Sequence, residues 1–214
     1  MTEPVEITPP PPARKYSFAD YLFQFITITA GVLIALLING LVEWNNNRQL
    51  VDQARSTIRQ EVAANLKELD GLSENVKRSG SDLENVLRLA NDLLSTGKTD
   101  VRTVSLNFNL ATLNASGWQS ADRTGALGHM DYDEVQEYSE LYTMQELFDS
   151  QQRKAIDLVA AGSALISPAF DPTKANRDDL TRLREHIMFL QASLLVTDQL
   201  GQQLRKGYQE FLQK

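Results

Sequence analysis

Residues 21–42 read YLFQFITITAGVLIALLINGLV, and no charge interrupts the chain between Asp20 and Glu43. At about 1.5 Å of rise per residue such a run extends roughly 33 Å as a helix, enough to cross a hydrocarbon core about 30 Å thick. A buried core helix of a soluble domain rarely carries so long an uncharged run. The run also exceeds the apolar region of a signal peptide, and no small-x-small cleavage site followed by a change in composition is visible. The stretch therefore predicts an uncleaved transmembrane anchor over 18–43, with the lipid bilayer as a partner.

The flanks agree with that reading. Tyr16, Phe18 and Tyr21 stand at one end and Trp44 at the other, where amphipathic rings favour the headgroup level. Inside the run, Gln24, Thr27, Gly31, Ala35 and Asn39 recur at intervals of three and four, on one side of a helix. Small residues allow close helix approach in lipid, and Gln or Asn can hydrogen-bond across the contact. The stripe predicts a self-association face. Arg14 and Lys15 precede the span and favour a cytoplasmic tail, although Arg48, Arg55 and Arg59 follow it. The expected orientation puts the tail inside and the long domain outside, which in a bacterium with two membranes is the periplasm.

Outward from the span, residues 1–17 form a proline-rich tail. Pro9 to Pro12 cannot be helical and predict extended polyproline II in a disordered segment. After the span, Val51, Ala54, Ile58, Val62, Leu66, Leu69, Leu72 and Val76 step by threes and fours, predicting a helix that ends near Gly80. Ser81-Asp82-Leu83-Glu84 has the pattern of a capping box and predicts a second helix to Thr96. Residues 98–130 lack helical periodicity; Val104, Leu106, Phe108 and Leu110 alternate, as in a short strand or an irregular link. A third helix is expected over Asp133–Ala161, with a seam of Tyr138, Leu141, Gln145, Phe148, Gln152, Ala155 and Val159. Pro168 and Pro172 break the chain, and a last helix is expected over Asn176–Gln213, its stripe running from Leu180 through Leu194 to Tyr208 and Phe211. The predicted fold is all-α: one membrane helix continuing into an antiparallel, four-helix-bundle-like domain over 44–214.

Composition narrows the function classes. The 214 residues carry a formal net charge of −7, which argues against a nucleic-acid partner. Without cysteine there is no disulfide, thiolate nucleophile or cysteine metal site. No Gly-x-Ser-x-Gly elbow, phosphate-cradling glycine loop or His-Glu-x-x-His pattern occurs. The two histidines, His129 and His186, fall on different elements. Neither catalytic residues nor a metal or other cofactor are expected. One stretch, WQSADRTGALGHM over 118–130, has the make-up of a ligand or partner surface. Trp118 offers apolar area, Asp122 and Arg123 fix polarity, Thr124 and His129 add polar groups, and Gly125 and Gly128 allow tight turns. The competing reading makes it a folded linker, with Trp118 and Leu127 plugging one end of the bundle.

Three pieces of the chain resemble a family of small bacterial single-pass membrane proteins of unknown function. They are the span with Gly31-Val32-Leu33-Ile34-Ala35-Leu36 and Trp44-Asn45, the stretch IRQEVAANLKEL over 58–69 with a glutamate and an asparagine after the anchor, and Trp118 with Thr124-Gly125-Ala126-Leu127 ahead of Tyr138 and Tyr142. The likeness covers much of 18–145. It implies a helical domain on a single N-terminal anchor and brings no catalytic residues. Together these readings predict a non-enzymatic interaction protein of the bacterial inner membrane, working as a homo-oligomer or with other membrane proteins. The alternative is a ligand-sensing bundle that signals through a partner.

Overall fold

The computed structural model describes residues 17–100, 110–162 and 174–214. The expected proline-rich tail, most of the alternating stretch 101–109 and the Pro168–Pro172 breaker lie outside these residues. The described chain is all-helical, with α1 over Phe18–Thr96, α2 over Ser116–Arg123, a 3-10 turn over Ala126–His129, α3 over Tyr132–Ala161 and α4 over Arg177–Gln213. No strand occurs among the described residues. The chain divides into two units, Met1–Arg48 and Gln49–Lys214.

In the first unit, Asp20 caps the start of α1 by reaching back one turn. The Ser17 amide donates to Asp20 Oδ2 at 2.8 Å, and the Asp20 amide donates to the Ser17 carbonyl. From Phe18 to Val42 every side chain is exposed. α1 is the one described helix long and apolar enough to cross a membrane. The Arg48 guanidinium lies 5.7 Å from the Trp44 ring centroid, a cation–π contact at the polar end of the apolar run.

In the second unit, the apolar stripes meet as their spacing requires. Ile58, Val62, Leu69 and Leu72 of α1 pack with Tyr138, Leu141 and Phe148 of α3 and Leu204 and Tyr208 of α4. A second cluster joins Leu83, Val86 and Ala90 of α1 to Leu183, Ile187, Leu190 and Leu194 of α4. Polar pairs fix the directions. Arg55 meets Glu134 and Asn65 meets Gln145, so α1 and α3 run parallel. Asp70 meets Arg205 and Glu137 meets Lys214, so α4 runs antiparallel to both. Close approach needs a glycine at Gly201, where an added Cβ would lie 3.0 Å from Leu72 and 3.3 Å from Phe148.

The helix break expected at Gly80 is not made, and α1 continues to Thr96. The buried positions explain why. Leu69, Leu72, Ser79, Leu83, Val86 and Ala90 stay on one face across Gly80, with Val76 half-buried among them. Continuous burial outweighs the cost of a mid-helix glycine, about 0.5–1 kcal/mol. The actual stop is Gly97, whose φ of 69° is the left-handed conformation that glycine adopts freely. The later boundaries fall where the sequence placed them: α3 ends at Ala161, and Asn176 caps α4 by accepting from the Asp179 amide at 2.9 Å.

Candidate functional site

The stretch after residue 110 is held to α1 and α3 by side-chain amides. Gln152 is buried on α3; its Nε2 donates to the Ala111 carbonyl and its Oε1 accepts from the Ala111 amide, both at 3.0 Å. Asn65, buried on α1, repeats the device one turn of chain later. Its Nδ2 donates to the Asn114 carbonyl at 2.8 Å, and its Oδ1 accepts from the Asn114 amide at 2.9 Å. A primary amide thus replaces the peptide partner a neighbouring strand would supply. Gln145 completes the layer: its Nε2 donates to the same Asn114 carbonyl, and its Oε1 accepts from the Tyr208 hydroxyl at 2.6 Å. The two glutamines of the α3 seam are therefore clamps, not gaps in a heptad.

Glu61 does similar work at α2. The residue before α2, Ala115, has no side chain able to cap it, and Glu61 on α1 takes that role from outside. Its Oε2 accepts from the Gly117 amide at 2.7 Å and from the Ser116 hydroxyl at 3.0 Å. Its Oε1 accepts from the Tyr142 hydroxyl at 2.6 Å. That phenol is pushed well above its usual pKa, first by burial and then by its bond to Glu61.

Trp118, on the α2 so positioned, stacks on Tyr142 with ring centroids 5.4 Å apart and planes 11° from parallel. It meets Tyr138 edge-on at 6.2 Å. The Tyr138 hydroxyl donates to Glu134 Oε1, and Arg55 grips Glu134 bidentately at 2.8 and 2.6 Å. Arg55 hydrogen bonding pulls the Glu134 carboxyl below its ordinary pKa. Beside Trp118 opens a polar cleft of about 400 Å³ with Tyr142, Gln145, Glu146, Asp149 and Arg153 on its walls. Burial raises the Asp149 pKa, against the opposing pull of Arg153.

Among the five residues of the candidate ligand surface, Trp118 is half-buried against the core, whereas Asp122, Arg123, Thr124 and His129 are exposed. The Thr124 hydroxyl donates back to the Ser120 carbonyl at 2.8 Å, closing α2 ahead of Gly125 at φ 77°. No group of three or more potential metal ligands forms among the described residues. The ring of His186 lies against Gly162, leaving no room there for a Cβ. In the stripe of the apolar run, Gln24, Thr27, Gly31, Ala35 and Asn39 are all exposed, and the Thr27 hydroxyl donates to the Phe23 carbonyl at 2.8 Å.

Sequence reasoning singled out Trp118 but not Glu61 and Asn65, which organise its surroundings. Both lie within the 58–69 stretch, where the sequence marks them only as a glutamate and an asparagine after the apolar run, with no role attached. Their meaning lay in a segment some fifty residues away, beyond the reach of helical periodicity. Comparison with family models, with characterised proteins and with solved structures gives no match to this chain.

Proposed function

We propose that this chain is a membrane-anchored, non-enzymatic interaction protein: a self-associating scaffold or an accessory subunit of a larger membrane complex. The supporting observation is the run Tyr21–Val42, exposed on all sides within its unit. A helix apolar all round needs lipid or protein to cover it. In this reading residues 18–43 span a bacterial inner membrane, the Gln24–Asn39 stripe is the contact between neighbouring spans, and the domain over 44–214 is a periplasmic, four-helix-bundle-like body with α2 as its short member. The family resemblance favours the same arrangement. No nucleic acid is needed as a partner.

The test is native mass spectrometry of the intact protein after gentle extraction from its own membrane. A homo-oligomer or a larger assembly supports the proposal, and a monomer that recovers nothing specific sinks it. A second reading, ligand sensing through a partner, is favoured by the polar cleft beside Trp118. Trp118 fluorescence and thermal stability measured across a metabolite panel decide it. A panel that moves neither removes this reading.

A further inference from the structure

A second opening lies between the two clusters of buried side chains, at a level where the three long helices fail to fill the space between them. Leu72 on its wall belongs to one cluster and Leu194 to the other. Each long helix brings a short side chain to this level: Ser79 from α1, Ala155 from α3 and Thr197 from α4. The result is a cavity of about 260 Å³, larger than the dry engineered cavity of about 150 Å³ that binds benzene. Its remaining described walls are leucine, isoleucine and valine, and no charged side chain is among the described residues that line it. The Thr197 hydroxyl is already donated to the Ser193 carbonyl at 2.9 Å, so it offers an entering molecule no free proton. At the rim, Leu110 and Ile156 are 43% and 44% exposed, which gives the cavity an apolar mouth open to solvent.

We propose that this cavity binds one unbranched hydrocarbon chain, that of a free fatty acid, with its carboxylate left in water outside the Leu110–Ile156 rim. The apolar walls favour hydrocarbon over a polar metabolite, because Ser79 and Thr197 bring the only polar side chains among the described lining residues. Among the described lining residues there is no lysine or arginine to hold a carboxylate inside, so the head group stays in water. The volume admits a single chain, so a two-chained lipid would leave its second chain in water. This site is separate from the polar cleft beside Trp118 and does not depend on the stripe in the span.

The experiment is photolabelling of the full chain in nanodiscs with dodecanoic acid carrying a terminal diazirine, followed by peptide mapping. Labelling is expected at the cavity wall around Leu110, Ile156 and Leu194, and unlabelled dodecanoic acid is expected to compete it away. Ala155→Phe fills the space and Ile156→Trp closes the mouth, and each is expected to reduce that labelling to background. Ile156 is exposed, so its variant keeps the fold even where Ala155→Phe does not. Absence of wall labelling, or wall labelling that survives Ile156→Trp, overturns the proposal. So does competition by a lysophospholipid but not by the fatty acid. Labelling over Tyr21–Val42 reads the membrane anchor separately: its loss would refute the anchor and leave the cavity result standing.

Discussion

At the scale of single residues, a few carboxylates and amides govern how the 110–130 region is held. Glu61→Ala leaves the Gly117 amide, the Ser116 hydroxyl and the buried Tyr142 phenol without their acceptor. Urea denaturation should show a loss of about 2 kcal/mol, and a loss below a few tenths would refute the capping role. Gln145→Leu preserves volume but strands the Tyr208 hydroxyl, on a fully buried side chain. It should cost about 1–3 kcal/mol in the same assay. Asp149 behaves in the opposite sense. Its carboxyl pKa is raised in the fold, so its ionisation costs stability above the folded pKa and costs none below the unfolded pKa. Asp149→Asn should therefore melt higher than the parent at neutral pH, with the difference vanishing below about pH 4. These roles were only half legible in the chain. Gln145 and Gln152 stood out as polar members of an apolar seam, whereas Glu61 was marked only as the glutamate of the 58–69 stretch, with nothing to say what it holds. Its partners are a backbone amide and a phenol from other elements, which no local pattern announces.

At the scale of elements, α1 decides between two sequence signals. The capping-box pattern at Ser81–Glu84 argued for a new helix, and the apolar spacing argued for continuity. Continuity prevailed because Leu72, Val76, Ser79, Leu83 and Val86 keep one phase, while a break would misalign Leu83 and Val86 against Ile187 and Leu190. Gly80→Ala tests this directly. Nothing lies within 4 Å of an added Cβ there, so the substitution should stabilise by about 0.5–1 kcal/mol in thermal or urea unfolding. A destabilisation would mean that Gly80 ends a helix after all. The three long stripes were legible because each repeats its period many times. α2 was not, because eight residues give barely two turns of pattern and its N-terminal cap is supplied by another helix.

At the scale of the whole molecule, acid sensitivity should concentrate where α1 meets the start of α3. The Glu134 pKa is depressed in the fold, so its pairing with Arg55 contributes stability above the unfolded carboxylate pKa, about 4.3. That contribution is lost as pH falls through the lower folded value. Melting curves between pH 6 and 2 should fall more steeply for the parent than for Arg55→Gln. Parallel slopes would show that the pair contributes nothing, as with many half-exposed ion pairs. The clamps on Ala111 and Asn114 also impose an order in time. Asn114 is gripped at once by Asn65 of α1 and Gln145 of α3, helices joined through most of the intervening chain. The double grip cannot close until those helices have come into register, and releasing it opens no helix. The linker should therefore join late and leave first. Mutations at Asn65 should accelerate unfolding while leaving the refolding rate nearly untouched, and the Asn114 amide should exchange with solvent through small openings long before the helices that hold it come apart.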